Sequence, residues 1–161
     1  MIRIKKSKIL TLISVIIIST SYLLAEDLTP EQTAFRDNIY EFLKEEGFMP
    51  TVNTKDNSVE FKKGDELHWI SVGAGRPFYV EFYKSGLKIN DADRNVVLAA
   101  VNEANQSIRC AKAVMNESAI TFAIEMYCHS AEEFRYVFYK SMEELENSEN
   151  CVLSYYNEHS R

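Results

Sequence analysis

The chain predicts an α+β fold, an antiparallel sheet of five to six strands with helices packed mainly on one face, in the order α-β-β-β(-β)-α-β-β-α. Three observations predict it. Apolar residues recur at helical spacing in three separate segments with capping residues at their starts. Between those segments, apolar and polar residues alternate with period two. The alternating runs are joined by short turns bearing Gly, Asn or Asp, as in an antiparallel meander.

A leader precedes these elements. Arg3, Lys5, Lys6 and Lys8 form a basic start, and an apolar run from Ile9 to Leu24 follows, broken by Thr11, Ser14 and Ser19-Thr20-Ser21. That run is short for a helix that must cross roughly 30 Å of hydrocarbon, so residues 1–25 read as a signal peptide. Cleavage is expected after Ala25, although Leu23 is larger than the usual residue at −3. Cleavage after Ser21, with Ser19 at −3, is the alternative, and an uncleaved anchor is the other reading. No Cys lies in the leader, which argues against a lipid-anchored form. The rest, residues 26–161, is expected as a single domain in the periplasm or outside the cell, without stable insertion in the membrane.

Thr29-Pro30-Glu31-Gln32 opens the first helix with an N-cap hydroxyl, Pro at the first helical position and Gln placed for a capping box. Phe35, Ile39, Phe42 and Leu43 form its stripe, and Gly47 suits a left-handed C-cap. An extended segment from Pro50 through Val52 comes next, with a turn at Lys55-Asp56-Asn57. Val59 and Phe61 then alternate with Ser58, Glu60 and Lys62 up to the Gly64-Asp65 turn. Leu67–Val72 is the following strand, Gly73-Ala74-Gly75-Arg76-Pro77 a loop, and Phe78–Tyr83 another strand.

Asn90 or Asp91 is expected to cap a second helix reaching about Ser107, with Val97, Val101, Ala104 and Ile108 as its buried stripe and Leu98 and Ala100 widening it. A hairpin follows: strands near Arg109–Met115 and Ala119–Cys128 flank Asn116-Glu117-Ser118. Ile120, Phe122, Ile124 and Met126 should share one face of it. Ser130-Ala131-Glu132-Glu133 opens a third helix with Phe134, Phe138, Met142 and Leu145 inward. Asn147 to Arg161 reads as a tail in which Val152, Tyr155 and Tyr156 dock as a short helix.

Ala100-Val101-Asn102-Glu103-Ala104-Asn105, the hairpin with Lys112 and Ala113, and the capped helix from Ser130 to Leu145 resemble the YbjN-like family, within the type III secretion chaperone-like fold. The resemblance covers most of residues 30–146. It implies a binding, chaperone-like or regulatory module rather than an enzyme. Secretion chaperones of this fold act in the cytoplasm as dimers, whereas this chain reads as exported, so their client role is not implied.

Charge excludes one class of partner. The chain carries 18 Lys and Arg against 24 Asp and Glu; without the four basic residues of the leader, 14 face 24, a formal charge of −10. Such a surface repels phosphates, so no nucleic acid partner is expected. His68, His129 and His159 belong to no metal-ligand pattern, and neither a metal nor a cofactor is expected. His68 reads as a half-exposed strand residue. Cys110, Cys128 and Cys151 read mainly as small buried hydrophobes, because hairpin register sets Cys110 roughly 13 Å from Cys128. A bridge from Cys151 to Cys110, or between chains, is the next option. No GxSxG elbow or phosphate loop is present.

One surface stands out. If Ile70, Val72, Phe78, Val80 and Phe82 face the helices, then Leu67, Trp69, Tyr79, Tyr83 and Tyr127 share the opposite face. A solvated sheet face is normally polar, and aromatics there mark an interaction site. A one-residue slip of register, or the first helix or tail lying over that face, would make them core instead. The reading is a non-catalytic module that binds protein or peptide through those five residues, with a second copy of the chain as one candidate partner. Two alternatives stand beside it: a small hydrolase using Cys128 or Cys110 with a histidine, and an acidic inhibitor or immunity-type protein.

Overall fold

The computed structural model describes residues 28–53, 56–89 and 93–160; the expected leader and its cleavage sites, and the expected cap at Asn90 or Asp91, lie outside the described residues. Nine elements follow in order: α1 (Pro30–Glu45), β1 (Thr51–Asn53), β2 (Ser58–Lys63), β3 (Glu66–Val72), β4 (Phe78–Lys88), α2 (Arg94–Ser107), β5 (Lys112–Met115), β6 (Ala119–Cys128) and α3 (Ala131–His159). The six strands form one sheet in the order β1-β2-β3-β4-β6-β5, and every pair is antiparallel. No helix among the described residues is long and apolar enough to cross a membrane.

The helix starts follow from their caps. Thr29 and Gln32 complete the capping box of α1: Gln32 N donates to Thr29 Oγ1 at 3.2 Å, and Thr29 N donates to Gln32 Oε1 at 2.9 Å. At α3 the box is offset by one residue. Glu133 N donates to Ser130 Oγ, but the Glu133 carboxylate reaches back to His129 N at 2.7 Å instead of to the cap residue. The α2 cap is Asp93; helix onset is delayed because β4 runs on to Lys88 and Ile89 N still bonds to Ser118 O.

That extension is the main departure from the expected strands. The strand continues past Tyr83 because Gly86 sits where β4 and β6 shift register, between Ser85 and Lys88. A Cβ at Gly86 would lie 2.1 Å from Ile120 O, so only glycine admits this approach. A second departure is the tail, which does not form a separate short helix. No Gly or Pro interrupts residues 131–160, and the buried stripe Phe134, Phe138, Met142, Leu145 continues to Ser148 and Val152. The result is one helix of 29 residues.

The core lies between the sheet and the helices. Val59, Phe61, Ile70, Val72, Phe78, Val80, Phe82, Ile120 and Phe122 point inward and join the stripes of all three helices. Phe138 is the hub: it stacks on Phe82 at 5.5 Å and meets Phe42 edge-on at 5.2 Å. The small Ala100 and Ala104 are fully buried where α2 meets α3 and β5, whereas Leu98 faces outward, 49% exposed. Asn105 then closes the sheet edge. Its Nδ2 donates to Ala113 O at 3.0 Å and its Oδ1 accepts from Ala113 N at 2.7 Å, occupying backbone groups that a further strand would otherwise take.

Of the buried polar side chains, His68 and Lys84 are the ionisable ones. His68 points inward at 0% exposure, stacked on Phe61 at 5.1 Å, and neither ring nitrogen makes a hydrogen bond of normal geometry. The half-exposed placement expected for it is therefore wrong: with Trp69 outward, strand alternation turns His68 in. Burial pushes its imidazole below the usual range, against a weaker upward pull from the Glu66 backbone. Its cross-strand neighbour Lys84 is 1% exposed and pairs with Glu66 at 2.9 Å and with Glu149 of α3. Burial disfavours the Lys84 charge, but the two carboxylates outweigh it and hold the pKa above the ordinary value. The pair ties the distal half of α3 to the sheet.

Candidate binding face

Strand pairing arranges the outer face of the sheet in rows. Ser71, Glu81 and Glu125 stand side by side across β3, β4 and β6. Tyr79 and Tyr127 form the row on one side of them. Glu60, Trp69, Tyr83, Ala123 and Lys112 form the row on the other side. Leu67 lies one step further along β3, opposite Lys62, and its N–H donates to Ser85 Oγ. All five residues expected on this face are there. Tyr127 is 70% exposed, while Leu67, Trp69, Tyr79 and Tyr83 are half-buried.

They shield one another rather than joining the core. Trp69 stacks on Tyr83 at 5.1 Å with an interplanar angle of 17°, and Tyr79 meets Tyr127 at 5.4 Å. None of the five belongs to the core cluster, whereas Tyr155 and Tyr156 at the end of α3 pack against it. Neither α1 nor the end of α3 lies over the outer face, because both spend their apolar stripes on the inner one.

Two side chains that the sequence reading did not single out lie at the centre. Glu81 and Glu125 are direct cross-strand neighbours, an arrangement that costs stability because like charges face each other. Each engages a tyrosine. Tyr83 Oη donates to Glu81 Oε1 at 2.6 Å; burial, and after it this hydrogen bond, pushes the Tyr83 phenol above its ordinary value. The Glu125 carboxylate beside it pushes the Tyr79 phenol up to about 12. No cation pairs with Glu60, Glu81 or Glu125 among the described residues. The signal was in the alternation of residues 79–83 and 121–127, which puts acids and aromatics on one face; pairing of the two acids required the register of β4 on β6.

The thiols and histidines are dispersed. Cys110, Cys128 and Cys151 are all unbridged. Cys128 is buried, and burial followed by the Glu133 charge raises its pKa, the opposite of what activates a thiolate. Cys151 is half-buried against the core. Cys110 is exposed, contrary to the buried placement expected, because β5 begins at Lys112 and leaves residues 109–111 outside the strand. It sits on a groove of about 510 Å³ between β6 and α3, whose lining includes Arg109, Lys112, Met126 and Val137 but no histidine. His129 is exposed, and His159 stacks on Tyr155 at the end of α3. No group of three or more His, Cys, Asp or Glu residues is placed to hold a metal among the described residues.

Comparison with protein-family models and with curated proteins gives no match.

Proposed function

We propose that this protein is an exported, non-catalytic binding module that takes a protein or peptide on the outer face of its sheet. The observation that carries the reading is the aromatic quartet on the outer face, Trp69 stacked on Tyr83 and Tyr79 tilted against Tyr127, all four outside the core cluster. Soluble domains rarely leave such area open without a use for it, and Trp and Tyr are the residues that anchor protein interfaces. The basic, apolar start of the chain supports export. The resemblance of the stretch from Ala100 to Leu145 to YbjN-like proteins points the same way, toward a chaperone-like or regulatory module.

Selection of a displayed random-peptide library on the immobilised protein tests the proposal. Selected peptides should bind the wild type and lose binding to Trp69→Ser/Tyr79→Ser, with the circular dichroism unchanged. Selected peptides that bind the double variant equally well, or a double variant that unfolds, would remove the face from the reading.

A further inference from the structure

We infer that the outer face selects a cationic side chain of its partner, an arginine carried on an extended basic segment, and seats it over Glu81 and Glu125 between the two aromatic pairs. The inference rests on the protein-binding reading above and names the chemistry of the partner.

Three features carry it. The first is uncompensated charge: Glu81 and Glu125 face each other across β4 and β6, Glu60 flanks Trp69, and no lysine or arginine pairs with any of them among the described residues. Lys62 and Lys112 lie on the flanking strands β2 and β5, and Arg109, Lys112 and Lys140 line one groove with Glu125 without forming an ion pair with it; Lys140 is held by Glu143 and Glu144. A partner cation relieves the repulsion that folding leaves in place. The second is the aromatic setting. Residues two apart on a strand are about 7 Å apart, so Tyr79 and Tyr83 stand on either side of Glu81, each backed by a second ring at 5.4 and 5.1 Å. Ring faces attract cations, and a planar guanidinium can stack on a ring while bonding a carboxylate. The third is shape. An open sheet surface encloses little of a free small cation, whereas a side chain held by an extended segment gains contact along the whole row. Overall charge agrees, since beyond the first 25 residues the chain carries 14 basic against 24 acidic groups.

Trp69 is the only tryptophan in the chain, so its fluorescence reads occupancy of this face directly. The purified protein is titrated with a hexa-arginine peptide and with its neutral hexa-citrulline counterpart. The expected result is a saturable change with the arginine peptide and binding weaker by about tenfold or more with citrulline. Glu81→Gln/Glu125→Gln should weaken arginine binding by a similar factor while unfolding at an equal or higher urea concentration, because it removes a like-charge contact. Glu117→Gln/Glu158→Gln, which deletes the same charge away from the face, should change binding less than about twofold. Equal affinity for both peptides overturns cation selection and leaves peptide binding standing. Equal losses in the two glutamine variants overturn the site, because bulk charge then explains the effect. No response of Trp69 to either peptide also overturns it, while the library selection judges the broader reading separately.

Discussion

Asn105 holds the edge of the sheet, and Asn105→Ala removes both of its bonds to Ala113 at once. The amide donates at 3.0 Å and accepts at 2.7 Å, and β5 is an outer strand with β6 on its other side. Ala113 is 3% exposed, so water does not readily replace the lost partner. A hydrogen bond contributes about 0.5–1.5 kcal/mol net, so the pair contributes about 1–3 kcal/mol. For a domain of roughly 130 residues, a melting entropy of about 2.1 cal/mol/K per residue converts this to a loss of about 4–11 °C in Tm. Asn105→Asp keeps the acceptor but turns a carboxylate oxygen toward the Ala113 carbonyl, and should cost at least as much. Urea unfolding followed by circular dichroism reads the stability. Light scattering across a concentration series reads the second consequence, association through the opened strand edge. A cost below about 0.5 kcal/mol for Asn105→Ala, typical of a neutral surface change, with no concentration dependence, refutes the edge-closing role.

Gly86→Ala places a methyl group 2.1 Å from Ile120 O and 2.7 Å from the Phe122 ring, so β4 must part from β6. The expected cost is at least about 2 kcal/mol, read from the urea midpoint, and an unchanged midpoint contradicts the close approach. His68 sets an acid limit. Its folded-state pKa lies below the unfolded value, so the unfolded chain takes up the proton first; stability is complete above about pH 6.5 and falls as pH drops below it. His68→Phe, stacked on Phe61 in its place, should flatten the stability profile between about pH 6.5 and 5, and a variant with the wild-type slope shows that another group titrates there.

Local chemistry made much of this protein legible in its linear order. Thr29, Gln32 and Ser130 mark helix starts because capping is decided within four residues, and the alternation from Ile120 to Met126 assigns faces because a strand has no other period. The same alternation placed Leu67, Trp69, Tyr79, Tyr83 and Tyr127 together outside. It held at His68 as well, yet a histidine's polarity suggested partial exposure where the backbone period turned it inward.

Packing decided the rest. Whether the aromatic face stays open depended on where α1 and the distal half of α3 lie, and that is set by burial of Phe35, Ile39, Val152 and the Lys84–Glu149 pair across long separations. The continuity of α3 through residues 147–159 came from docking, since its stripe there holds a serine and an ion pair as well as apolar groups. The length of β4 depended on a glycine, Gly86, whose need for space arises from Ile120 and Phe122 on β6 and not from its own neighbourhood in the chain. Sequence-local periods told which side chains share a face; only the register of β4 on β6 set Glu81 beside Glu125, because cross-strand neighbours are chosen by the whole sheet rather than by either strand.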